Sequence, residues 1–268
     1  MHAEKFLVHF IIILCVFAFG CNSNTHEYPE KQKVAEYNQL FQYSVITALQ
    51  QGVFDTDEFT CGQLKKHGNI GLGTFNALDG ELILLDENVY QATSGGEVKN
   101  MPDDIYSPFA ACTYFKADTS FIVKQISEEQ FQRSMTGVLQ QNEVYAFKIT
   151  GGFDTLKFRS VPKQIKPYST LSIAAKNQTV FSMQSQQGTI IGFFSPEYLS
   201  SANVTGYHFH FLNKEKNKGG HILRFFISEA TIEIARMKSV QIVIPGSKEF
   251  SEKDILGADK NELYKAEH

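Results

Sequence analysis

Residues 206–223 read GYHFHFLNKEKNKGGHIL: a β-prone run, a polar turn and a second run that starts on paired glycines. In the first run aromatic residues alternate with histidines, the period-two pattern of a strand, so His208 and His210 project from one face. The polar stretch 213–220 should turn the chain back, and the following strand then delivers His221 beside the first two. The expected unit is an antiparallel hairpin carrying three imidazoles.

Three neutral imidazoles on a rigid hairpin, with coordination positions left open, suit a catalytic Zn²⁺. Other divalent metals accept the same donors. An HxH pair alone is more often a surface or structural feature of a strand than a ligand pair. A cupin site also begins with HxH, and four residues separate His210 from Glu215, within that pattern's spacing. The two glycines that pattern wants are here Ala202 and Ile222, and Glu215 sits in a lysine-rich turn. Two readings of another class therefore stand beside the three-histidine enzyme: a cupin-like metalloenzyme of other chemistry, and a non-catalytic exported lipoprotein.

Outward from the hairpin, β-prone segments dominate. They fall near 69–76, 81–85, 88–92, 109–116, 120–126, 143–150, 155–160, 179–184, 188–194, 205–213, 221–228 and 239–244, broken by Gly, Asp and Asn turns. Helices are predicted at 32–50, where Val34, Tyr37, Leu40, Phe41, Val45 and Leu49 recur at spacings of three and four, and at 127–140, capped by Ser127. Shorter ones are predicted near 229–237 and 259–266. The fold class is α+β: a two-part mixed β-sheet structure with few helices and a metal site on a C-terminal β-hairpin. The proline-containing stretch 161–170 marks the boundary between an N-terminal subdomain, 32–165, and a C-terminal metal-binding subdomain, 166–268.

Composition narrows the function classes. The chain has 268 residues, 43% apolar and 20% charged, with 23 Phe, 11 Tyr and no Trp. These values exclude disorder, collagen and coiled coil. A net charge of −4 offers no electrostatic case for a nucleic-acid partner. Residues 10–19 form an unbroken apolar run of ten, shorter than the roughly 20 residues that span a bilayer and of the length of a signal-peptide core. Residues 1–20 are therefore expected to be a signal peptide of lipoprotein type, with Cys21 lipidated and 21–31 a polar tether. The expected location is outside the cytoplasm, anchored through Cys21 or secreted to the periplasm or medium. Cys61 and Cys112, with no close-spaced partner, are either a disulfide or two buried thiols.

HGNIGLGTFNALDGELI (67–83), TGGFDTLKFRSVPKQIKPY (150–168) and residues 188–223, with QYSVITALQQGVF (42–54), resemble the α-acetolactate decarboxylases in order and in register. The resemblance implies a zinc-dependent enzyme that converts 2-acetolactate, a small-molecule substrate, to acetoin and carbon dioxide. It implies a two-part mixed α/β fold and a homodimer. By the same resemblance the metal ligands fall on His208, His210 and His221. The active-site glutamate and arginine fall on Glu81 and Arg159, and a C-terminal glutamate on Glu267, with Glu262 as fallback. Read without it, Glu81 is a turn residue, Arg159 a surface ion-pair partner and Glu267 a solvated helix end.

The implied chemistry needs these groups. Loss of carbon dioxide leaves an electron pair that spreads onto the ketone oxygen, and a cation chelated by the ketone and hydroxyl oxygens stabilises that charge. Arginine's planar fork suits the carboxylate or the charged oxygens. A carboxyl group, Glu81 or Glu267, must return a proton to carbon. The glycines of HGNIGLG lack nucleotide-loop spacing and are expected to permit close backbone approach beneath the site.

Overall fold

The computed structural model describes residues 36–258, 262 and 263, all within the compact unit Ala35–His268. The signal-peptide, tether and Cys21 expectations fall outside the described residues. Strands dominate, in two sheets. In the first, β1 (Gln39–Tyr43) lies between β12 (Ser239–Val243) and β6 (Phe109–Thr113). The order continues through β2 (Ile70–Thr74), β3 (Glu81–Leu85), β4 (Asn88–Ala92) and β5 (Val98–Asn100). Only the β1–β12 pairing in this sheet is parallel, which makes it mixed.

The second sheet runs β10 (Gly206–Asn213), β9 (Thr179–Ser195), β8 (Tyr145–Ser160), β11 (Gly219–Arg236), β7 (Thr119–Ser127). A further antiparallel pairing of β10 with β11 closes four of these strands into a ring. The phenylalanine excess fills that ring: Phe147, Phe153, Phe158, Phe209, Phe211 and Phe225 are buried together. Helix α3 (Glu128–Met135) adds Phe131, which meets Phe147, Phe209 and Phe225 edge-on at 5.7–6.2 Å. Each such pair is worth about 0.5–1.5 kcal/mol beyond the area it buries. Ser127 caps α3 as its sequence predicts, Gln130 completes a reciprocal capping box, and the helix ends at Met135, short of the expected 140.

Several expectations are corrected. Residues 39–43 are strand β1, and among the described residues of 32–50 the helix present is the five-residue α1 (Ile46–Gln50). Neighbouring strands and apolar residues cover both faces of β1: Leu40 joins one buried cluster, Phe41 and Tyr43 another. The strand therefore shows no alternation, and its spacing mimics a helix. Asn38 and Ser44, both with positive φ, bracket it. The helix expected at 229–237 is the end of β11, where Ala230, Ile232 and Ile234 point inward with period two. The strands expected as 143–150 and 155–160 are one, β8, and 179–184 and 188–194 are one, β9.

Strand pairing also cuts across the expected division at 165/166. Strands β7 and β8, before that point, belong to the second sheet, and β12, after it, returns to the first. Of the expected helix 259–266, Glu262 and Leu263 are described, and both are helical. Among the described residues no helix is long and apolar enough to cross a membrane. Cys61 and Cys112 are free, buried thiols.

Candidate active site

The 206–223 hairpin forms as its pattern predicts, with His210 directly opposite His221 across β10 and β11. Turn chemistry differs in one respect. Asn213 organises the turn, its Oδ1 accepting the N–H groups of Asn217 and Lys218 at 2.9 Å. The paired glycines begin β11 instead, where side chains do not fit. A Cβ on Gly220 would lie 2.5 Å from the Arg159 carbonyl, and one on Gly219 equally close to that of Phe211.

Because Phe209 and Phe211 point into the ring, His208 and His210 point out of it, towards the first sheet. There β3 meets them. The Nδ1 of His210 lies 2.8 Å from the Leu82 carbonyl, which can only accept, so Nδ1 carries the proton. The lone pair is thereby left on Nε2, which is buried and makes no hydrogen bond. Burial, with the positive charge of Arg159 adding to it against the Leu82 bond, lowers the His210 pKa to about 3 and keeps the ring neutral.

His208, His210 and His221 are all buried, and one ligand nitrogen from each falls within 4.8 Å of the others. Buried, convergent imidazoles are a donor set for a divalent metal. Among the described residues this is the one group of histidine, cysteine and carboxylate side chains so arranged. Glu215, which a cupin-type set would require, is exposed in the turn and accepts from Asn213 Nδ2 at 3.0 Å.

Arg159 on β8 pairs with His221 across the sheet, which brings it to the same face. Its Nη1 lies 2.6 Å from Glu81 Oε1, and both side chains are buried. The other oxygen, Oε2, is 3.5 Å from His210 Nε2. Glu81, Arg159, His208 and His210, together with Thr74, thus line one cleft, whose remaining lining is mostly apolar: Ile46, Leu49, Leu78, Phe109, Val161 and Leu171. Gly73 also lines it, and a Cβ there would run into the Phe109 carbonyl, so the close-approach reading of HGNIGLG holds.

Glu267 lies outside the described residues. Glu262 is exposed and accepts from Ser172 Oγ at 2.7 Å, while its neighbour Leu263 is buried against Leu78, Val161 and Leu171. Sequence reading missed the Leu82 carbonyl and Thr74. A backbone acceptor has no residue signature, and Thr74 stood inside a quoted stretch read for its glycines and for Glu81.

The chain is similar to known proteins of one family. Residues 40–256 match the family model described as alpha-acetolactate decarboxylase. An alpha-acetolactate decarboxylase of Brevibacillus brevis is 35% identical over 238 residues, covering 87% of this chain and 82% of its own. One from Methylococcus capsulatus is 37% identical over 235 residues, covering 87% and 90%. The crystal structure of the Bacillus subtilis strain 168 alpha-acetolactate decarboxylase superposes with a TM-score of 0.83 at 32% identity, covering 85% of this chain and 99% of that one.

Proposed function

Since the chain belongs to the α-acetolactate decarboxylase family, we propose that it decarboxylates 2-acetolactate to acetoin and carbon dioxide in the cleft lined by Glu81, Arg159, His208 and His210, with His221 grouped beside those two histidines. The observation that carries this reading is the convergence of a buried three-imidazole group and a buried carboxylate–guanidinium pair on one small cleft.

His208, His210 and His221 would hold the metal, which we read as Zn²⁺ from the all-nitrogen donor set. When bound, that ion supplies Lewis-acid polarisation of the substrate's ketone and hydroxyl oxygens. Arg159 presents a permanent positive charge to the substrate carboxylate and to the oxygens that gain charge as carbon dioxide leaves. Glu81, held at one oxygen by Arg159, would keep or give the proton that the substrate carbon needs. Glu267 is the family-derived second carboxyl group for that transfer. The apolar lining accepts the substrate's two methyl groups and keeps water from competing for the proton.

Residues 1–20 as a signal peptide, lipid attachment at Cys21, export and homodimerisation complete the proposal. The apolar run before Cys21 supports the first three, and family membership the last. The test is acetoin formation from racemic 2-acetolactate. The wild type is expected to produce acetoin, and Arg159→Ala to be at least about a hundredfold slower. A wild type that binds metal and produces no acetoin would refute the reading and favour other metalloenzyme chemistry.

A further inference from the structure

Ala77 and Leu78, in the 3-10 turn that leads into Glu81, both hold left-handed backbone, with φ of 62° and 53°. A residue with a Cβ keeps that conformation only where its surroundings over-determine it, and such strain collects at functional sites. Here the surroundings centre on Asp55. The Ala77 N–H donates to the Phe54 carbonyl at 2.8 Å and to Asp55 Oδ1 at 3.0 Å. Next to this, Asn76 and Thr56 exchange two bonds: the Thr56 N–H donates to Asn76 Oδ1 at 3.1 Å, and Asn76 Nδ2 donates to the Thr56 carbonyl at 2.8 Å.

The second oxygen of the same carboxylate faces another segment. Asp55 Oδ2 accepts from the Tyr168 hydroxyl at 3.0 Å and pairs with Lys166 Nζ at 2.7 Å. The Gln164 N–H closes the loop onto the Ala77 carbonyl at 2.7 Å. One carboxylate therefore joins the turn preceding Glu81 to the segment that follows Arg159 and runs on to Leu171. Where the two segments meet at the cleft, the Gly80 N–H donates to both Leu78 and Val161, at 2.9 and 3.1 Å.

We propose that Asp55 is a positioning residue for the decarboxylation: it holds Ala77 and Leu78 in the left-handed conformation and ties residues 164–168 to them, fixing where Glu81 and Leu78 stand in the cleft. Asp55 does not itself line the cleft. The inference rests on the functional reading above. A torsional error at 77 and 78 is carried to Glu81 three residues on, whereas the three histidines sit on a hairpin with its own pairing. Loss of Asp55 should therefore lower turnover and leave metal binding intact.

The test uses the full chain and four proteins, with kcat, KM and bound metal measured for each. Asp55→Ala is expected to lower kcat by about ten- to a hundredfold at wild-type metal content. Asp55→Asn keeps an acceptor for the Ala77 N–H and is expected to stay within about threefold of wild type. Asp55→Ala combined with Ala77→Gly should recover most of the loss, because glycine adopts positive φ without a Cβ penalty. Wild-type kcat in Asp55→Ala would overturn the inference. So would Asp55→Asn as slow as Asp55→Ala, or a double variant as slow as the single one. Should Asp55→Ala not fold, the double variant decides: folded and active supports the role, unfolded or inactive overturns it. No acetoin from the wild type would overturn the functional reading and this inference with it; acetoin from the wild type and an unaffected Asp55→Ala would overturn this inference alone.

Discussion

Glu81 and Arg159, 78 positions apart in the sequence, share a 2.6 Å ion pair, with 7% and 4% of their side chains exposed. Removing one member of such a pair leaves a buried charge uncompensated, at a cost of about 3–5 kcal/mol. Glu81→Gln keeps shape and loses charge. It is expected to melt several degrees lower and to form acetoin at least about a hundredfold more slowly, with metal content unchanged. Thermal melts, kcat and metal assay on one preparation check this, and wild-type kcat would remove Glu81 from the proton-transfer role.

Arg159→Lys separates charge from shape. An ammonium retains the positive charge and loses the planar fork, so stability should fall less than in Arg159→Ala while activity still falls by about tenfold or more. Steady-state kinetics of the two variants side by side decide it. Full activity in Arg159→Lys would mean that charge alone suffices.

The hairpin makes a metal prediction. Replacing His210 or His221 by Ala removes one of three convergent nitrogens and is expected to bring bound metal, measured by elemental analysis after dialysis, to near zero. His210→Ala also frees the Leu82 carbonyl, its partner at 2.8 Å, which adds a loss of stability that His221→Ala lacks for this bond. Retention of stoichiometric metal in either variant would contradict the three-histidine site.

Buried thiols set a pH dependence. Desolvation, with the charge of Asp103 adding to it, pushes the Cys61 thiol from 9.0 up to about 12, and burial also pushes the Cys112 thiol up. Between the unfolded and folded values the folded state keeps a proton that the unfolded state has lost. The contribution of these groups to stability is therefore complete below pH 9 and declines above it. Alkylation at pH 8, located by peptide mapping, is expected to spare both cysteines in the native protein and to label both in denaturant. Labelling of Cys112 in the native protein would contradict its burial.

Close approach at the cleft predicts the effect of Gly73→Ala. The added methyl meets the Phe109 carbonyl, which the β2–β6 pairing holds in place, so the strands must separate. Melting temperature and activity are expected to fall together, and a neutral outcome in both would show that this contact can give way.

The histidine hairpin was legible because period two and a polar turn are local signals, read within 14 residues. Glu81 and Arg159 were not legible from pattern: β3 and β8 belong to different sheets, and nothing near either residue says which strand it will meet. Only likeness to whole family stretches pointed to them. Strand β1 was misread because a strand covered on both faces has no alternation, and Leu40, Phe41 and Val45 then fall at helical spacing by chance. The end of β11 was misread for a different reason. Glu229, Ala230, Glu233 and Ala235 are good helix formers, but pairing with β7 on one side and β8 on the other outweighs that preference. The missed Asp55 connection is again tertiary, since its partners lie 22 and 113 positions away.

The most direct test of the central claim is acetoin formation from racemic 2-acetolactate, measured before chelation, after it and after return of zinc, with metal content assayed on the same samples. The account predicts activity that disappears with the metal and returns with about one zinc per chain. Undiminished acetoin formation by metal-free protein would contradict it.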